Sequence, residues 1–107
     1  MDSWDLPEME LEPHFPQVLR SDDAVRAIAI HLPAGEELQE HEVREHAYLV
    51  VAAGEVDVEQ GGDTVAAGPG WVGHFEPHER HEVRAKADSR LLLVLAPWPG
   101  EPEASHR

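Results

Sequence analysis

The sequence predicts an all-β domain of the sandwich or barrel class. Short apolar runs recur at spacings of roughly 8–12 residues, which is the rhythm of such folds. Gly, Pro, Asp and Gln clusters stand between them as turn signals, and no segment holds a helical period beyond about two turns.

Residues 1–23 are rich in Pro and acid, and Pro7, Pro13 and Pro16 oppose a regular helix there. This stretch is expected to be an arm laid along the domain edge, with a short strand around Phe15 to Arg20. From Ala24 to Leu32 the chain alternates, with Ile28, Ile30 and Leu32 on one face and Val25, Ala27 and Ala29 on the other. Both faces are apolar, so the strand is expected to be covered on two sides. Pro33-Ala34-Gly35 turns the chain. Ala47 to Ala53 reads as a strand, placing Leu49 and Val51 opposite Tyr48 and Val50. Gly54 ends it. Val56 and Val58 alternate with Glu55, Asp57 and Glu59, giving a half-exposed strand that closes in the Gln60-Gly61-Gly62-Asp63 hairpin. Thr64 to Ala66 resumes the sheet, and Gly68-Pro69-Gly70 turns again. Trp71 to Phe75, His81 to Ala85 and Arg90 to Ala96 supply three more strands. The segment 98–107 reads as a Pro, Gly and acidic tail, so the domain is taken as 24–97.

Composition narrows the function. Of 107 residues, 22 are acidic and 8 are Lys or Arg, Lys86 being the only lysine, for a formal net charge of −14. Such a surface repels phosphate backbones and anionic lipid, so neither nucleic acid nor a membrane is expected as partner. It suits a salt-adapted host, or one that prefers Arg to Lys. The absence of cysteine excludes disulfides, zinc–thiolate sites and thiol nucleophiles. The acidic N-terminus lacks the order of a signal peptide, and the apolar run Leu91 to Pro97 is too short to span a bilayer, so a cytoplasmic protein is expected. No G-x-S-x-G elbow, Walker loop or dinucleotide fingerprint is present.

Two glycine-and-histidine frames carry the remaining signal. Gly35, His41 and Gly54 form the first, and Gly70 and His81 the second. In this spacing the chain resembles the cupin family, whose jelly-roll barrels are also called double-stranded β-helices. The family's first motif is Gly, five residues, His, one residue, His, three or four residues, Glu, six residues, Gly. Val43 stands at the second His place and Ala47 at the Glu place. In the second motif, Glu76, His78 and Ala85 occupy the Pro, Gly and Asn places, with Pro77 one residue late. The resemblance spans about Ala24 to Pro97 and implies a cupin barrel with His41 and His81 directed inward.

If pairing is unbroken, His41, Val43, Ala47, Leu49 and Val51 share one face by parity, as do His81 and Val83. The expected cavity is therefore lined by His41, Val43, Ala47, Leu49, His81 and Val83, suited to a small, partly apolar ligand. Catalytic metal sites take about three protein ligands. His41 and His81 give two, with a third to come from His46, which parity puts on the opposite face unless a bulge re-aims it, or from His74. The metal would be a divalent transition ion such as zinc, iron, nickel or manganese. Pro77 makes a turn of the His78 region, and His14, His31 and His106 receive no role. Trp71 is expected as an anchor in the core or an interface, and Trp98 as a packing residue of the terminal segment. The apolar run Leu91 to Leu95 suggests a homodimer through that sheet, or a face covered by the N-terminal arm. Three functions follow: a small-molecule-binding module with a partly degenerate metal site, sensory or regulatory in role; a metal-dependent oxygenase or isomerase using His41, His81 and a third ligand; or a structural barrel without ligand.

Overall fold

Nine strands in two antiparallel sheets build the protein, in a computed structural model that describes residues 1–13, 15–41 and 44–96, with the backbone alone at 39–41. In chain order they are β1 Gln17–Ser21, β2 Arg26–Leu32, β3 Glu37–His41, β4 His46–Ala53, β5 Val56–Gln60, β6 Asp63–Ala67, β7 Val72–Phe75, β8 His81–Ala85 and β9 Ser89–Ala96. One sheet has the order β1-β2-β9-β4-β7 and the other β3-β8-β5-β6. The expected strands are all present, that around Phe15 to Arg20 included. Strand β3 was not expected: Glu37-Leu38-Gln39-Glu40 holds one aliphatic residue, so hydropathy conceals it.

The inner faces of the sheets meet in a core of Leu49, Val51, Val56, Val83, Leu91 and Phe75 with their neighbours. β2 has inner residues Ile30 and Leu32 buried, and Ala29 on its other face is buried as well. Gly61 and Gly62 have φ of 60° and 89°, the left-handed pair that a two-residue hairpin of this twist needs.

Parity does not carry across from β3 to β4. β3 ends at His41 in the four-stranded sheet, Arg44 and Glu45 form a bend, and β4 begins at His46 in the five-stranded sheet. Alternation carries facing information only along an unbroken strand, so His41 and Ala47 are not related by it. Within β4 the alternation holds: Ala47, Leu49 and Val51 are buried, whereas Tyr48 is exposed.

The N-terminal residues cross the outer face of the five-stranded sheet at one end. A single 3-10 turn, Leu6–Glu8, starts the crossing, with Pro7 at its beginning. The Arg90 guanidinium donates to the carbonyls of Leu6 and Met9. His31 lies between the Leu11 carbonyl (3.1 Å from Nδ1) and the Asp88 carboxylate (2.6 Å from Nε2). Arg90→Ala is expected to cost about 1.5–3 kcal/mol, the scale of hydrogen bonds from a charged donor. Limited proteolysis checks it: cleavage should move into residues 1–12, and an unchanged digestion pattern would show that the arm is held by other contacts.

Candidate functional site

Both frame histidines lie on neighbouring strands. The β3–β8 register sets His41 directly opposite His81, past an irregularity that follows Leu38. His81 opens β8 on its inner face and is 3% exposed. Its ring stacks on Phe75 with centroids 3.9 Å apart and planes 8° from parallel. Phe75 comes from β7 in the other sheet, so this stack bridges the two layers of the barrel. Val83, two residues on, is sealed in the core with Ala47 and Leu49. Val43 and Trp98 lie outside the described residues, as do His14 and His106.

His46 and His74 are brought together, on the opposite side of the five-stranded sheet from His81. Tyr48 pairs with His74 and Ala47 with Phe75, so His46 sits diagonally across from His74. His46 Nδ1 is 2.8 Å from His74 Nε2, and the rings stack at 5.1 Å. Tyr48 leans on His74, its ring centroid 5.0 Å away. Glu76 completes the group, one carboxylate oxygen 3.9 Å from His46 Nδ1 and the other 3.9 Å from His74 Nδ1. One ligand atom from each of the three falls within 4.8 Å of the others, so the group could hold a metal ion. Sequence reasoning named the two histidines as alternatives and missed Glu76. The spacing His74-x-Glu76, same-side spacing at a strand end, was the signal available.

The turn after β7 holds Glu76 in place. Glu79 N–H donates to the Glu76 carbonyl at 3.1 Å, and the Glu76 amide donates to Glu79 Oε1 at 2.6 Å. His78 has φ of 69°, and with Pro77 before it this is the pattern of a type II turn. His78 thus stands at the family's Gly place in the conformation that favours Gly. The Glu79 carboxyl is held below its ordinary range, chiefly by the Glu76 amide and next by the Gln60 side chain.

A pocket of about 380 Å³ opens where the edge strands β6 and β7 face each other across the sheets, lined by Val58, Gln60, Val65, Trp71, Phe75 and their neighbours. Trp71 lies flat over Gly73: a Cβ there would meet the indole carbons at 2.2–2.9 Å. Trp71 therefore serves both as a packing anchor, as expected, and as a pocket wall.

The four-ligand interior metal site implied by the family frame does not fit this chain. A metal there needs donors at 41, 43, 47 and 81, and Val43 and Ala47 carry none. Ala47, 1% exposed, is packed into the core instead. Two imidazoles fall short of the roughly three protein ligands that such centres use.

Comparison with known proteins agrees with the architecture. The chain resembles an RmlC-like cupin protein from Desulfovibrio desulfuricans at 24% identity, 91% of this chain aligning with 97% of that one at a TM-score of 0.81. An uncharacterized protein with a double-stranded β-helix domain from Klebsiella pneumoniae is 16% identical, with 92% and 91% of the two chains covered and a TM-score of 0.79. KdgF from a Halomonas species is 21% identical over 83% of this chain and 85% of that one, with a TM-score of 0.72. At these identities the likeness speaks for the fold. No curated protein matches the chain. The cupin-domain family pattern, however, matches residues 28–97, more than half of the sequence. With the two-sheet barrel and the glycine-and-histidine frames, that match makes the chain a member of the cupin family.

Proposed function

We propose that the protein is a small-molecule-binding cupin with a degenerate interior metal site, sensory or regulatory in role. The observation that carries this reading is the pocket at Trp71, whose inner wall, Phe75, is stacked on the buried His81. Its volume of about 380 Å³ suits a small ligand, and its walls combine apolar surface from Val58, Val65, Trp71 and Phe75 with polar groups from Gln60 and Asp63. A ligand seated against Phe75 reaches the His81 ring only through that stack, which makes His81 a positioning residue of the pocket wall. The homodimer expectation finds support in Tyr48 and Val72, exposed apolar groups on the outer sheet face beyond the arm. Among the described residues no helix is long and apolar enough to cross a membrane.

Thermal shift and tryptophan fluorescence against a panel of simple sugars, amino acids and aromatic acids test the proposal. A compound that raises the melting temperature and changes the tryptophan emission is expected, with binding weakened at least about tenfold in Trp71→Ala, the scale of one lost aromatic anchor. Binding undiminished in Trp71→Ala, or no binding across the panel, would end this reading.

A metal-dependent enzyme of oxygenase or isomerase type is the second reading; the register sets His41 opposite His81, but it would need a third ligand, and His46 and His74 lie on the other side of the five-stranded sheet. Metal retained through purification, lost in His81→Ala and kept in His74→Ala, would put it first.

A further inference from the structure

We propose that His46, His74 and Glu76 form a divalent transition-metal site of zinc or nickel type on the outer face of the five-stranded sheet, away from the barrel interior. His74 also borders the pocket of the small-molecule reading, whereas His46 and Glu76 do not, so His46→Ala separates the failure of one from that of the other.

Three separately fixed backbone positions supply the donors. His46 opens β4, His74 belongs to β7, and the register of these strands makes the two residues diagonal neighbours on one face. Glu76 follows two residues after His74, and its amide is held by the Glu79 carboxylate. The group is thus assembled by strand pairing and one turn, with no long loop to order. Diagonal neighbours across an antiparallel pair are within reach of long and aromatic side chains, which accounts for the imidazole contact.

The distances suit a metal of this class. Metal–nitrogen bonds of about 2.0–2.1 Å place adjacent ligand nitrogens about 2.9 Å apart in an octahedron and about 3.3 Å apart in a tetrahedron. The imidazole nitrogens stand 2.8 Å apart, so the rings need part by half an ångström or less. A hydrogen bond between the imidazoles explains their contact by itself. The Glu76 carboxylate faces Nδ1 of both rings at 3.9 Å, on His74 the nitrogen other than the one in that contact, and one donor atom from each residue lies within 4.8 Å of the others. That carboxylate is 63% exposed, so solvent leaves it room to turn toward the imidazole nitrogens.

Two imidazoles and one carboxylate favour zinc, nickel, copper or cobalt over magnesium and calcium, which prefer all-oxygen shells. The remaining positions would be filled by water. Entry is open, because the imidazoles are 39% and 35% exposed. The net charge of −14 raises the local cation concentration around the whole molecule.

Occupancy has a structural consequence. In its sheet β7 is an edge strand paired with β4, so a metal joining His46 to His74 adds a second link between them. Gly73 and Phe75, on either side of His74, belong to the pocket wall. The metal site and the pocket therefore share one four-residue strand.

The test is titration of the untagged full chain with zinc chloride and nickel chloride in chelator-free buffer, with the cobalt(II) absorption spectrum as a second readout. One metal per chain is expected, with affinity reduced more than about tenfold in His46→Ala and in His74→Ala, and reduced in Glu76→Gln. Zinc should raise the melting temperature of the wild type and leave that of His74→Ala unmoved. His78→Ala, on the adjoining turn, serves as the control and should bind as the wild type does. Circular dichroism establishes that each variant is folded before it is scored. No saturable binding, or binding that survives both His46→Ala and His74→Ala, overturns the proposal. Loss in His78→Ala equal to that in His74→Ala overturns it as well.

Discussion

Gly54→Ala is expected to destabilise the protein by about 2–5 kcal/mol, combining about 1–2 for an L-residue in the left-handed region with about 1–3 for overpacking. Gly54 has φ of 89°, and a Cβ built there would fall 2.3 Å from Ser89 Oγ, 2.4 Å from the Asp88 carbonyl oxygen and 2.6 Å from the Ser89 Cα. Two of these three atoms are backbone, so the clash is not relieved by a rotamer change. Ser89 itself is fully buried and tied down: its hydroxyl donates to the Ala87 carbonyl at 2.7 Å and accepts from the Glu55 amide at 3.1 Å. Gly62→Ala is the matched control, with the same φ of 89° and nothing within 4 Å of the added carbon. Urea denaturation of both variants separates the two contributions. Gly62→Ala should show the conformational cost alone, and equal losses in the two would mean that the approach of Ser89 to Gly54 costs nothing.

Phe75→Ala should lose about 3–5 kcal/mol, the usual cost of truncating a buried aromatic ring. Phe75 is 4% exposed and belongs to the central core. It is also the face on which His81 rests, at 3.9 Å. Removing it leaves the imidazole beside a cavity and deprives the pocket of its inner wall. Phe75→Leu keeps most of the volume without the flat stack and should fall between the two. Thermal and urea unfolding measure the stability, and the nuclear magnetic resonance shifts of the His81 ring protons report the stack directly. A loss below about 1 kcal/mol in Phe75→Ala would show that the barrel closes over the missing ring.

The fold was legible because its signals are local. Alternation marked β2 and β5, apolar runs marked β4 and β9, and glycines marked the turns: Gly35, Gly54 and Gly70, the frame glycines, all have positive φ, at 85°, 89° and 94°. Those glycines report what the backbone must do and nothing about chemistry. This is why the frames could predict a barrel while two of their ligand places hold Val43 and Ala47. Strand β3 escaped because its residues are mostly polar, and with it went the inference that His41 and Ala47 share a face. The meeting of His46 with His74 depends on the β4–β7 register, across 28 positions of sequence. Parity put His46 on the far face but could not say which residue it would find there. Trp71 over Gly73 was similarly hidden, since the fit of an indole against a bare backbone is written in neither residue alone.

β9, Ser89–Ala96, is the last strand of the described chain, yet it lies at the centre of its sheet between β2 and β4. Residues 26–53 can therefore be synthesised in full while β2 and β4 still lack the strand that joins them. The five-stranded sheet closes only when β9 arrives, pairing Leu91 with both Ile30 and Val51. A topology whose keystone is made last folds through non-local contacts, slowly, and exposes unpaired edges in the meantime. During translation the two halves of this sheet must wait for β9.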